Sequence, residues 1–183
     1  MVDDVTNLND LVTAIANGMR PKYLFFWGHT PGKSGQVGKE CLSQWYPAVF
    51  VVDGVRYATA EHYMMAEKAR LFGDEDVRER IVAAAHPGLA KNLGREVQGF
   101  TPTIWEQHRF DIVVQGNTAK FSQNPALKAF LLNTGHRILV EASPVDRIWG
   151  IGWSENDPQA QDPEKWRGLN LLGFALMTAR SRL

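Results

Sequence analysis

Leu8, Leu11, Val12, Ile15 and Met19 recur every three to four residues, the spacing that gathers side chains on one face of an α-helix. Gly18 and Pro21 supply stop signals, so a short amphipathic helix is expected near the start of the chain. The unbroken apolar run 23–27 reads as a buried strand, and the glycine-rich stretch 28–39, which has no apolar period, reads as a loop. Two short runs, 49–52 and 55–57, flank Asp53-Gly54, a pair that tolerates the positive φ angles of a tight turn. They predict a β-hairpin.

From Thr59 the period becomes helical. Thr59 caps a helix over 60–72 that Gly73 ends, and Asp74 caps a second over 75–85. Pro87 suits the first turn of a short helix that stops before Gly94. Thr101-Pro102 opens a longer helix, and Asn124-Pro125 starts another that ends at Gly135. Residues 137–141 read as a strand, 146–152 as a glycine-interrupted turn, and 154–165 as a surface loop. Asn170 is expected to cap a last helix running from Leu171 towards Arg180. The fold class predicted is α+β, a mostly helical single domain over 1–183 with a small β-sheet, in which 1–20 form an N-terminal helical segment on a core of 21–183.

The length of 183 residues agrees with one domain, since domains usually run to roughly 100–200 residues. Twenty lysines and arginines balance twenty aspartates and glutamates, so no global field draws the chain to nucleic acid or a membrane surface. Any anionic ligand must be met by local charge. A single cysteine, Cys41, and the lack of a charged, then apolar, leader pattern suggest a reducing, cytoplasmic setting. No apolar run approaches the roughly 20 residues of a membrane span.

The helix over 60–72 carries the most informative charges. At about 100° per residue, Glu61, Met65, Lys68 and Phe72 share one stripe, while Glu67 and Arg70 fall on the other, outward side. Glu61 and Lys68 therefore interrupt an apolar face two turns apart, roughly 10 Å along the axis, too far to neutralise one another. Each needs a salt-bridge partner on another element or a ligand, and the sequence leaves both open. Asp146-Arg147-Ile148-Trp149-Gly150 sets a carboxylate and an indole in a turn after a strand, where Asp146 either serves chemistry or caps its own turn. Trp105, Arg109, Ile112, Gly116 and Lys120 form a further stripe that suits a base and a phosphate, or one core tryptophan and two snorkelling cations.

The histidines His29, His62, His86, His108 and His136 show no metal-ligand spacing, and Cys41 has no partner cysteine, so no metal site is expected. Gly32-Lys33-Ser34 lacks the first glycine of a phosphate loop, Trp27 standing in its place. A nucleophilic Cys41 and His62 pair is conceivable, but a solitary cysteine more often is a small buried apolar residue.

Six fragments, in order, resemble a known family. They are V-D-G-V-R-Y-A-T-A-E-H-Y-M-M-A-E-K-A (52–69), L-G-R (93–95), A-K-F (119–121), L-V-E (139–141), D-R-I-W-G (146–150) and G-L-N-L-L-G-F-A-L-M (168–177), with Trp105 between. The chain is similar to the YbiA-like proteins, or NADAR domains, some of which are N-glycosidases of the riboflavin pathway. The resemblance spans 23–183 and implies hydrolysis of the C–N bond of ribosylaminopyrimidine 5′-phosphates, small phosphorylated ribosides, with no cofactor. It makes Glu61 and Asp146 catalytic carboxylates, Trp105 and Trp149 neighbours of the ring, and Lys68, Arg95 and Lys120 phosphate contacts. Where the family often has F-S-N-F, this chain has Leu42-Ser43-Gln44-Trp45, so Ser43 and Gln44 join the substrate-binding candidates where recognition of the base can differ.

The resemblance equally permits removal of ADP-ribose from guanine, the one reading with a nucleic-acid partner, and a neutral net charge argues against avid DNA binding. A non-catalytic ADP-ribose or nucleotide binding module is the third reading, against which retention of Glu61 and Asp146 speaks. Elementary chemistry agrees with a hydrolase. Breaking a ribosyl C–N bond builds positive charge on the sugar, and a nearby carboxylate stabilises that charge or deprotonates the attacking water. A desolvated carboxyl has the raised pKa such a base needs, and a phosphate supplies binding energy remote from the bond.

Overall fold

The computed structural model describes residues 5–33 and 35–183, so residues 1–4 of the N-terminal segment and Ser34 of the Gly32-Lys33-Ser34 stretch lie outside the described residues. Helix α1 (Leu8–Ala16) starts where the Asn7 side chain accepts the Asp10 N–H. It ends at Ala16, three residues before Met19 where the periodicity runs out, because Gly18 turns to φ +100°. Strand β1 (Tyr23–Phe26) follows, then the glycine-rich segment and a 3-10 turn, Lys39–Leu42. Strands β2 (Phe50–Val52) and β3 (Val55–Tyr57) pair antiparallel around Asp53 and Gly54, both at positive φ as the hairpin turn requires.

Helix α2 (Ala60–Leu71) is capped by Thr59, whose hydroxyl accepts the His62 N–H. Helices α3 (Glu75–Val82), α4 (Pro87–Leu93), α5 (Pro102–Gln123) and α6 (Pro125–Asn133) follow, then strand β4 (Ile138–Glu141) and helix α7 (Leu171–Ser181). The α+β class stands. Between β4 and α7 the 154–165 stretch departs from a surface loop. It forms two 3-10 turns, Pro158–Gln161 and Pro163–Lys165, and buries Ala160, Pro163 and the following Trp166, whose ring meets Tyr23 edge-on at 6.2 Å.

Helix α2 is the centre of the molecule. It packs on α3, α4 and α5 and contacts β3, and even Glu67, which the helical wheel turns outward, is buried and accepts from Arg70 at 2.9 Å. A helix enclosed on several sides has no single solvent face, so its periodicity misplaces that residue. Aromatic packing ties the hairpin down: Tyr57 meets Tyr63 edge-on at 5.1 Å and both lie near Phe50.

The second organising contact is the parallel pairing of β1 with β4, Phe26 lying opposite Glu141. Helix α7 covers β4 at very short range, since a Cβ on Gly173 would stand 2.0 Å from the Leu139 carbonyl oxygen. Only glycine permits that approach. Asn170 holds the N-cap position of α7, but in left-handed backbone (φ 53°) and without capping the helix. Its side chain instead accepts the Glu141 N–H at 2.9 Å and donates to the Leu139 carbonyl at 2.9 Å, acting as a strand partner for β4.

Candidate active site

The ends of β1 and β4, the inner face of α2, the C-terminal half of α4, the 43–45 segment and the 143–149 turn enclose a cavity of about 550 Å³. Its walls divide into a carboxylate end and a cationic end, both served by α2.

At the first end Glu61 occupies the first turn of α2, 4% exposed, with its N–H donated to the Gln44 carbonyl. Burial raises its carboxyl to about 7, opposed by the Lys91 ammonium and by a hydrogen bond with the Trp45 side chain, and reinforced by Asp146. None of the ion pairs among the described residues includes Glu61. The salt-bridge role left open above is therefore not what holds it. Asp146 lies on the wall and also binds its own turn, its Oδ1 accepting the N–H groups of Ile148 and Trp149 at 2.8 Å each. The capping role weighed for it is thus observed, and it occupies only Oδ1.

A third carboxylate, Glu141, ends β4 on the same wall. Burial pushes it up to about 8, with Asp146 and Glu61 adding to the rise and Lys91 opposing it. Its Oε2 is buried and has no hydrogen-bond partner among the described residues. The strand alternation conceals this residue as one more strand terminus. Its signal was the acid that closes an apolar strand in L-V-E.

At the other end, Lys68 stands two turns along α2. Its Nζ donates to the Gly94 carbonyl and lies 4.4 Å from the Phe100 ring centroid, while burial and the nearby Arg95 lower its pKa. Arg95 is exposed and shares the wall. Ser43, Gln44 and Trp149 also line the cavity, joined by Trp45, His29 and Trp27, the last 60% exposed. Sequence reasoning missed Lys91 and these three ring residues, since a surface-helix lysine and loop aromatics carry no periodic signal.

Two candidates lie elsewhere. Lys120 is 0% exposed and off the cavity wall; its Nζ donates to the carbonyls of Cys41 at 2.7 Å and Ser43 at 2.9 Å. Fifteen residues separate it from Trp105 on α5, about 22 Å of helix, so their shared stripe cannot serve one ligand. It clamps the 41–43 backbone rather than a phosphate. Trp105 is half-buried and also off the wall, its ring centroid 5.9 Å from Lys68 Nζ.

Cys41 is buried and its thiol is pushed up to about 12 by burial, which disfavours the thiolate a nucleophile needs. His62 spends its ring nitrogens on the Thr59 hydroxyl and the Ala84 carbonyl. Among the described residues no group of three His, Cys, Asp or Glu side chains is arranged to hold a metal ion, and no helix is long and apolar enough to cross a membrane.

The NADAR domain family model matches residues 25–183. N-glycosidase R617 of Acanthamoeba polyphaga mimivirus is 46% identical over 164 residues, 87% of this chain and 95% of that protein. N-glycosidase YbiA of Escherichia coli (strain K12) is 34% identical over 132 residues, 72% of this chain and 74% of that protein. The NMR structure of Escherichia coli YbiA superposes with a TM-score of 0.67 at 28% identity, covering 90% of this chain and 86% of that one. On these matches the chain belongs to the NADAR domain family and is an N-glycosidase.

Proposed function

We propose that the enzyme hydrolyses the C–N glycosidic bond of ribosylaminopyrimidine 5′-phosphates, with Glu61 as the group that activates water. The carrying observation is a buried carboxylate without an ion pair among the described residues, on the wall of a cavity whose other end is cationic. As the C1′–N bond stretches, positive charge grows on the sugar. Glu61, held near neutrality by burial, takes a proton from the attacking water, and Asp146 stabilises the ribosyl cation.

Lys68 and Arg95, about two helical turns away, receive the 5′-phosphate, whose distance from the reacting carbon lets its binding energy serve orientation. Trp45 and Trp149 supply faces for the pyrimidine, and Gln44 is anchored beside them by the Asn117 amide at 2.8 Å. The ligand is an uncharged base on an anionic sugar, which suits local cations on a chain of zero net charge.

The test is to incubate the purified enzyme, without added metal, with a ribosylaminopyrimidine 5′-phosphate and separately with ADP-ribosylated guanine, following products by mass spectrometry. Ribose 5-phosphate released at the higher kcat/KM from the first is the expected result. Release of ADP-ribose alone, or binding without release of either sugar, contradicts the proposal.

A further inference from the structure

We propose that Glu141 is the general acid of this site, the group that hands a proton to the departing nitrogen. This rests on the hydrolase reading above, in which Glu61 takes the proton of water and an aminopyrimidine leaves. An amine departing with the electron pair of the broken bond is a poor leaving group until protonated, so the reaction needs a donor as much as a base.

Glu141 meets the requirements of that donor. It lies on the cavity wall, and its Oε2 is closed to solvent yet has no hydrogen-bond partner among the described residues, unlike most buried polar atoms. Such an atom is what a ligand nitrogen would complete. Its backbone is fixed on both sides: the N–H donates to Asn170 Oδ1 at 2.9 Å, and the carbonyl accepts from Ile151 at 3.0 Å. Three charged groups face it from the surrounding elements: Glu61 of α2, Asp146 of the turn and Lys91 of α4. Burial raises both carboxyls, Glu61 to about 7 and Glu141 to about 8, so each can hold a proton near neutral pH. The hydrogen bonding separates their roles: Glu61 already shares a hydrogen bond with the Trp45 side chain, whereas Glu141 Oε2 is left to meet the ligand.

The step balances. The Glu141 carboxyl proton moves to the glycosidic nitrogen as the C1′–N bond breaks, the bond pair staying on nitrogen. The water oxygen bonds to C1′, and its proton passes to the Glu61 carboxylate. Free aminopyrimidine and ribose 5-phosphate leave; Glu61 then returns its proton to solvent and Glu141 regains one.

Two substrates separate acid catalysis from a structural role: a ribosylaminopyrimidine 5′-phosphate, which requires the proton, and 4-nitrophenyl riboside 5-phosphate, whose phenolate leaves without it. Glu141→Gln is expected to lower kcat on the first by about 10²–10⁴ and to leave the second within about threefold. In the wild type, kcat/KM on the first should fall above about pH 8 while the second shows no such fall, a readout that does not depend on the variant folding. Equal losses on both substrates, or the same alkaline fall with both, overturn the assignment. A wild type that cleaves neither refutes the hydrolase reading, and this inference falls with it.

Discussion

Lys68 and Arg95 occupy the cationic end of the cavity in different ways. Lys68 already donates to the Gly94 carbonyl and packs on Phe100, whereas Arg95 is exposed and its guanidinium donates to the Asn92 amide oxygen at a long 3.4 Å. Replacing either with methionine should reduce the preference for phosphorylated over dephosphorylated riboside, read as a ratio of kcat/KM, by about 1.5–3 kcal/mol. Arg95→Met should do so with no loss of stability. An unchanged preference in both variants would remove them from the site. Glu61 and Lys68 were legible in the sequence because a charge on an apolar helix face is a local contradiction, visible at 3.6-residue spacing. Glu141 and Lys91 were not, because each is ordinary in its own element and becomes unusual only where β4, α2 and α4 converge.

The elements themselves were largely legible, since caps and stops act locally: Thr59, Asp74, Pro87, Pro102 and Pro125 all mark helix starts within one residue of the observed ones. What single elements hide is which partner a polar side chain finds. Asn170 reads as a cap and works as a strand partner; Lys120 reads as a phosphate contact and works as a clamp on the Cys41 and Ser43 carbonyls. Lys120→Met should therefore leave the buried Cys41 carbonyl without its donor, while the Ser43 carbonyl keeps the Tyr46 N–H, and destabilise the protein by about 1–3 kcal/mol. Denaturant midpoints measure this. A variant of undiminished stability that had lost its phosphate preference would return Lys120 to the site.

For the whole molecule, the parallel pairing of β1 with β4 joins residues far apart in the chain, and no periodicity announces it. That pairing buries carboxyls at the site, with a consequence for stability. Glu61 has a folded pKa of about 7 against 4.5 for the free group, so the folded state holds the proton more tightly than the unfolded chain. Its stabilising contribution is complete below about pH 4.5 and is lost as pH rises through about 7. Glutamine never ionises and escapes that loss. Glu61→Gln should thus gain stability above pH 7, up to about 3 kcal/mol from a shift of this size at about 1.4 kcal/mol per unit.

The same substitution tests the central claim, because a water-activating carboxylate and a structural one respond oppositely. Turnover and melting temperature should be measured together on Glu61→Gln at pH 8, with the exposed Glu106→Gln as control. The account predicts a fall in kcat of about 10²–10⁴ with a melting temperature equal to or above wild type. A protein destabilised by about 3–5 kcal/mol, as when one half of a buried ion pair is removed, with turnover near wild type would contradict it.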